Sequence, residues 1–467
     1  MKINIASNEV IHFIGIGGIG MSGLALIMNN MGFTVQGSDL NNNKNTDRLI
    51  KLGIKIYFGH NPKNLDKATM VVVSSAIKKN NKELIASKNK KLSVVKRGEM
   101  LANVVALKKN IVITGSHGKT TTTSLIANIL EEAELDPTII NGGIINSLKN
   151  NAHLGKGEWA VIESDESDGS FLNLPITYSI VTNLDREHLD YYKSFDRLKN
   201  CFRSFIEKTP SFGKSLICLD DNNLKNLIHK CKNNNFITYG FNKKSNYQIL
   251  NVRKKPNCSI FDLRIKIAGT KIFKIKNIQV NLIGDHNVLN TTASIAIALN
   301  LGIKMHTIKK VLKNFSGIQR RFTKVFSVDK KDFYDDYAHH PTEIKAVIKS
   351  ARQVYGNRKI ICVFQPHRYS RVKLLRKEFA LSFKSSDAVV LCPVYSAGEK
   401  IDRDFSQDHF SRFITKKSGT QVINIKSKNE LKIFLKKNLF DDELVICVGA
   451  GSISNWIREI GEELKWN

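Results

Sequence analysis

The sequence lacks the marks of several large classes. None of its seven cysteines forms a Cys-x-x-Cys pair, and none has a histidine at a zinc-binding spacing. A disulfide scaffold and a structural zinc module are therefore excluded, and a reducing compartment fits. No apolar stretch reaches the length of a membrane span, so no membrane insertion is expected. The start, Met1-Lys2-Ile3-Asn4, leads toward a strand ending in glycines and not into a signal-peptide core, so a cytoplasmic location is expected. No low-complexity tract is long enough to imply disorder. Acidic residues are few, 42 against 72 Lys and Arg, which leaves a formal charge of +30. The excess lysine is spread beside asparagine, as in Lys88-Asn89-Lys90-Lys91 and Lys232-Asn233-Asn234-Asn235, and forms no footprint. No nucleic-acid partner is expected, although such a charge attracts anionic, phosphorylated substrates.

What is present is α/β patterning. A chain of 467 residues exceeds one hydrophobic core, and three domains are expected, with boundaries near residues 107 and 317. Val10–Ile14 reads as a buried strand, Gly15-Ile16-Gly17-Gly18-Ile19-Gly20 as a tight turn, Met21–Met31 as a helix and Thr34–Gly37 as the next strand. The alternation recurs with strands at Met70–Ser74, Asn110–Thr114, Trp159–Ile162, Ser179–Thr182 and Ser215–Leu219. Asn246–Ile278 reads as antiparallel strands, and Val288–Leu299 as a helix. A third α/β series follows, with strands at Phe333–Asp335, Lys359–Phe364, Ala388–Cys392 and Leu444–Val448 and a helix at Glu343–Val354. Alternating strands and helices imply parallel sheets.

The most informative run is Ile111 to Thr121, a strand, a glycine turn and a helix start. Gly115, Ser116, His117 and Gly118 let backbone N–H groups close around phosphate oxygens, Lys119 meets the β and γ phosphates, and the Thr120 hydroxyl ligates Mg²⁺. The strict P-loop pattern places a glycine where this chain has Ile113, so the loop is a variant. An apolar strand ends at Glu163 and is followed by Asp165, Glu166 and Asp168; Glu163 is the candidate metal carboxylate. His188, in Asn183-Leu184-Asp185-Arg186-Glu187-His188, is either a ligand for a second ion or an ordinary loop histidine.

Gly15, Gly17 and Gly20 match the dinucleotide turn, with Asp39 at the end of the next strand where a ribose is met. The pattern alone does not separate NAD from a UDP-sugar. Two nucleotide loops on separate domains fit a simple dehydrogenase poorly. Near the C-terminus, Asp335 to Thr342 and Phe364 to Arg371 each follow a strand, where α/β ligand sites form. Arg368 and Arg371 are placed either to clamp a carboxylate or phosphate bidentately or to form a surface pair.

With these motifs assembled, the chain resembles the Mur ligases of peptidoglycan synthesis along nearly its whole length, most closely the branch that adds L-alanine to UDP-N-acetylmuramate. The signs are 15 to 25, 114 to 121, 163 to 168, His286-Asn287-Val288-Leu289-Asn290, Gly317 to Phe322, Asp335 to Thr342 and Gln365 to Arg371. The resemblance implies an α/β fold with an N-terminal Rossmann-like domain (1–107), a central P-loop ATPase domain (108–317) and a C-terminal Rossmann-like domain (318–467). It implies ATP and Mg²⁺, an acyl-phosphate intermediate, and a monomer or weak homodimer. By resemblance, Gly17, Gly18, Met21, Ser22, Asp39, Ser74 and Arg97 meet the UDP-sugar. Gly115 to Thr121, His286, Asn287, Asn290 and Arg321 meet ATP, and Thr120, Glu163 and His188 meet the metal. Tyr337, His339, Arg368 and Arg371 lie near alanine or the acyl phosphate, with Lys119, His188, His339, Arg368 and Arg371 catalytic. Ala338 departs from a usual glycine and Ser452 from a usual aspartate, and the stretch near Arg203 offers no lysine for carbamylation.

Overall fold

The computed structural model describes residues 9–232, 235–267, 269, 271–439 and 442–464; Met1–Asn4 and Asn233–Asn234 of the sequence reading lie outside them. Three sheets carry the fold. The first contains β1 (Val10–Ile14), β2 (Thr34–Asp39), β3 (Lys55–Phe58), β4 (Met70–Val73) and β5 (Ser93–Lys96) in the order β3-β2-β1-β4-β5. All its pairings are parallel, so helices form the crossovers: α1 (Ile19–Asn30), α2 (Lys44–Lys51), α3 (Lys82–Asn89) and, after β5, α4 (Arg97–Val105). The order reverses at β1, which puts the glycine turn after β1 at the switch point of the sheet.

The second sheet holds β6 (Lys109–Thr114), β7 (Thr138–Ile145), β8 (Asn150–His153), β9 (Trp159–Glu163), β10 (Tyr178–Val181), β11 (Lys214–Cys218), β12 (Phe236–Gly240), β13 (Tyr247–Lys255), β14 (Cys258–Ile265) and β15 (Phe273–Val280). Their order is β15-β14-β13-β12-β11-β10-β6-β9-β7-β8, with β6 parallel to both β9 and β10. β6, β9 and β10 are almost wholly buried apolar runs, as strands covered on both faces must be. The helix α5 (Lys119–Glu132) leaves β6 through the glycine loop, and its long buried face packs on β7 and β9.

The third sheet runs β16-β17-β21-β18-β19-β20, built from β16 (Thr323–Val328), β17 (Lys331–Asp336), β18 (Lys359–Phe364), β19 (Ala388–Leu391), β20 (Gln421–Asn424) and β21 (Glu443–Val448). Only the β16–β17 pair is antiparallel; the others are parallel, and two apolar cores cover the sheet. The chain packs as two compact units. One comprises residues up to Asn251 with Phe261–Val280 and Leu289–Ser316, and the other Val252–Ile260, Asn281–Val288 and residues from Gly317 onward. The α/β class and the three sheets are those expected. Among the described residues no helix is long and apolar enough to cross a membrane.

Candidate functional site

At the end of β6 the backbone makes a turn that only glycine accommodates easily. Gly115 has φ +127° and Gly118 +85°, and a Cβ on Gly115 would lie 2.2 Å from Thr182 Oγ1. The loop is held from β10: Asn183 Oδ1 accepts from the His117 N–H at 2.8 Å, Asn183 Nδ2 and Thr182 Oγ1 donate to the His117 carbonyl, and the Asp185 N–H donates to Ser116 Oγ. His117 Nε2 lies 3.3 Å from Asp185 Oδ2. Asn290, on the helix Asp285–Asn300, presses against Gly118, with its Oδ1 2.5 Å from where a Cβ would sit.

Lys119 opens α5 and its Nζ lies 2.8 Å from Glu166 Oε2 and 2.6 Å from the Gly115 carbonyl. Burial would lower the lysine pKa, but Glu166, Asp165 and Glu163 outweigh it and hold the ammonium above its ordinary value. Burial likewise works against the Glu166 carboxylate, and Lys119 and His188 outweigh it and hold it ionised. His188, at φ +55°, brings Nε2 within 3.6 Å of Glu166 Oε1, and that neighbour raises its pKa against the effect of burial. Thr120 Oγ1 donates to Glu163 Oε1 at 3.0 Å, while Glu163 Oε2 accepts the Gly142 N–H at 2.6 Å. Asp165, Glu166 and His188 offer ligand atoms all within 4.8 Å of one another, a donor set of hard oxygens and one imidazole that suits a divalent cation. The Tyr192 hydroxyl fixes the Glu166 carbonyl from behind.

The turn after β1 is tied to β2. Ser38 O accepts the Gly15 and Ile16 N–H groups at 2.8 and 3.0 Å, and Asp39 Oδ2 accepts the Gly17 N–H at 2.8 Å. A Cβ on Gly17 would meet Asn43 and Asp39. Gly18 caps α1, and Ser74 lies against Gly15. Met21 and Ser22 are buried; Ser22 Oγ donates to the Ile19 carbonyl and accepts from Arg48 Nη2 at 3.4 Å. Arg97, at the start of α4, lies beside Gly20. With Gly98 it also borders a small void that Glu163, Ser164 and Asp165 at the end of β9 line as well.

In the other unit, Asp336 ends β17 and accepts the Phe322 and Ala338 N–H groups; burial, partly offset by Arg321, lifts its pKa to about 6. The guanidinium groups of Arg320 and Arg321 lie 4.8 and 5.5 Å from the Tyr337 ring centre. His339 and His367 meet edge-on at 5.7 Å, and Arg371 Nη1 lies 3.2 Å from His367 Nδ1. Burial first, then Arg371, keeps both imidazoles neutral, at about 3 and about 4. Arg368 caps the next helix at φ +68°, a strained position for a side-chain-bearing residue. Ser452 accepts from Gln365 Nε2 at 3.0 Å, and Gln365 Oε1 accepts the Ile453 N–H, so the Gly449–Ser452 loop is clamped without the usual aspartate. His286 packs against Gly284, and Asn287 Nδ2 donates to the Ile283 carbonyl at 2.8 Å.

Sequence reasoning did not find Asn183 and Thr182 as holders of the loop, Glu166 as the partner of Lys119, or His367 beside Arg371. The available signal was position: Thr182, Asn183 and Glu166 follow the C-terminal ends of β10 and β9, the neighbours of β6, and His367 lies one helical turn before Arg371 in the segment after β18.

Three family models match in succession: "Mur ligase family, catalytic domain" over 10–109, "Mur ligase middle domain" over 113–298 and "Mur ligase, glutamate ligase domain" over 320–451. A UDP-N-acetylmuramate–L-alanine ligase of Pelagibacter ubique is 55% identical over 462 residues, covering 99% of this chain and 100% of that protein. The chain belongs to the Mur ligase family. A second Mur ligase of the same description, from Agrobacterium fabrum, is 44% identical over 98% of this chain and 97% of its own. The crystal structure of the Thermotoga maritima UDP-N-acetylmuramate–alanine ligase superposes with a TM-score of 0.82 at 28% identity, covering 98% of this chain and 99% of that one.

Proposed function

We propose that this Mur ligase joins L-alanine to the lactyl carboxylate of UDP-N-acetylmuramate with ATP, forming ADP and phosphate in peptidoglycan precursor synthesis. The observation that supports the reading most is the glycine turn at the end of β6, where Lys119 Nζ lies 2.8 Å from Glu166 Oε2 and Thr120 Oγ1 donates to Glu163 Oε1 at 3.0 Å, together with a second glycine turn after β1 suited to a nucleotide-sugar. The 55% identity to a protein of that activity supports the choice of alanine. The regions 1–107, 108–317 and 318–467 would serve the UDP-sugar, ATP and the amino acid in turn.

A carboxylate oxygen attacks the γ-phosphorus, the bond to the β-phosphate oxygen breaks, and an acyl phosphate and ADP result. The neutral alanine amine then attacks the acyl carbon, phosphate leaves with the former carboxylate oxygen, and the nitrogen loses one proton to solvent as the amide forms. Both steps bring anions or weak electrophiles together, so positioning and charge balance carry the catalysis. Lys119 would exchange Glu166 for phosphate oxygens, the loop amides would take the rest, and Arg321 would add a cation. Thr120 and Glu163, with His188 beside Asp165 and Glu166, would hold Mg²⁺, which, when bound, offsets phosphate charge. Tyr337, His339, Arg368 and Arg371 would hold the alanine end.

The test is ADP formation with UDP-N-acetylmuramate and L-alanine. Lys119→Ala is expected to lower turnover by at least about 100-fold, the scale of losing one charge-stabilising donor, with UDP-N-acetylmuramate binding unchanged by calorimetry. Equal loss of both would refute the division of labour between the two loops.

A further inference from the structure

The first sheet buries a carboxylate for which phosphoryl transfer has no use. Glu83, in the first turn of α3, is fully buried. Its Oε2 accepts from Ser38 Oγ at 2.5 Å and His60 Nδ1 at 3.0 Å, and its Oε1 accepts from Asn64 Nδ2 at 2.6 Å and the Asn61 N–H at 3.3 Å. Buried His12 turns Nε2 toward Oε2 at 3.6 Å. Burial alone would raise the Glu83 pKa, but nearby His12 and the donors on Ser38 and Asn64 outweigh it and hold it at about 2. A buried charge is costly, and packing alone is met as well by an apolar side chain of similar volume. Ser38, His60 and Glu83 have the residue types of a hydrolytic triad but not its connectivity, because Ser38 Oγ and Glu83 meet the same ring nitrogen. The group is an anchor, not a nucleophile.

What it anchors is the glycine turn. Ser38 donates its hydroxyl to Glu83 and uses its carbonyl to take the Gly15 and Ile16 N–H groups, and the adjacent Asp39 takes that of Gly17. The same carboxylate orients His60, which follows Gly59, whose N–H donates to Asp39 O. Two segments that converge on the turn, Ser38–Asp39 and Gly59–His60, are therefore held by one side chain.

We propose that Glu83 is a positioning residue for the nucleotide-sugar substrate, setting through Ser38 and His60 the Gly15–Gly17 turn that receives it. This rests on reading that turn as the UDP-N-acetylmuramate loop. The experiment is steady-state phosphate release by the full chain carrying Glu83→Gln or Ser38→Ala. Losing a buried hydrogen bond to a charged group is expected to raise KM for UDP-N-acetylmuramate about 10-fold in Glu83→Gln and about 3-fold in Ser38→Ala, with kcat and KM for ATP held within about 2-fold. An unchanged KM for UDP-N-acetylmuramate, or a fall in kcat alone, overturns the proposal by leaving Glu83 a purely structural role. Should Glu83→Gln fail to fold, Ser38→Ala, which keeps the backbone acceptor, decides by the same criterion. A wild-type enzyme that releases no phosphate in response to UDP-N-acetylmuramate would overturn the functional reading instead.

Discussion

The two imidazoles of the C-terminal unit, His339 and His367, illustrate how environment assigns a protonation state. Burial, reinforced by the positive charge of Arg371, holds them at about 3 and about 4, below the ordinary 6.5. The unfolded chain therefore binds more protons than the folded one from about 6.5 down to about 4 for His367 and about 3 for His339, and these residues withdraw stability as pH falls through that window. Above it they contribute no pH dependence. Selective ¹³C labelling of histidine, with assignments from His339→Gln and His367→Gln, is expected to show both rings neutral from pH 8 down to 5. A midpoint near 6.5 for either would contradict the burial argument. Such neutrality was not legible in the sequence, where His339 and His367 are simply residues of two separate motifs. Lys119, Thr120 and Glu163 were legible as candidates because phosphate-loop chemistry is written in adjacent residues and in a strand that ends on a carboxylate. The Lys119–Glu166 pair was not, since 47 positions separate its members and only the parallel pairing of β6 with β9 joins them.

At the scale of elements, the phosphate loop depends on how closely β10 approaches it. Gly115 sits at φ +127° with Thr182 Oγ1 2.2 Å from the place of a Cβ, so Gly115→Ala must push back either the loop or the end of β10. The expected cost is about 1–3 kcal/mol in urea unfolding, with ATP turnover lost; an active variant of native stability would show that the loop has slack. Buried apolar strands such as β1, β6, β9, β18 and β21 could be read from composition because they are covered on both faces. The hairpin of β7 and β8 was missed. Its Asn141-Gly142-Gly143 looks like a turn, and the strand exists because β9 pairs with it and Glu163 takes its Gly142 N–H. β3 and β5 were missed for a related reason: each is only four residues long, half-exposed and at an edge of its sheet. On the far side of the hairpin, Asn151 donates to the Ile19 carbonyl at 2.8 Å and accepts from Arg48 at 2.7 Å, fastening α1 to the second sheet.

For the whole molecule, three α/β sheets in series carry two glycine turns, a pattern consistent with the proposal of two nucleotide-bearing substrates and a small amine. The positive charge of +30 is distributed and agrees with anionic substrates as well as with compositional drift. Sequence pattern carried the class of fold and the phosphate loop, while the packing that brings Arg97 and Glu163 to the edge of one small void is not written in either motif. The claim that matters most is the identity of the acceptor and the amine. It is tested by phosphate release from ATP with UDP-N-acetylmuramate and one amine at a time, taking L-alanine, glycine, L-serine and the L-alanyl-D-glutamyl-diaminopimelate tripeptide. The account predicts release that requires UDP-N-acetylmuramate and is fastest, by kcat/KM, with L-alanine; faster release with the tripeptide, or none with any amine, would contradict it.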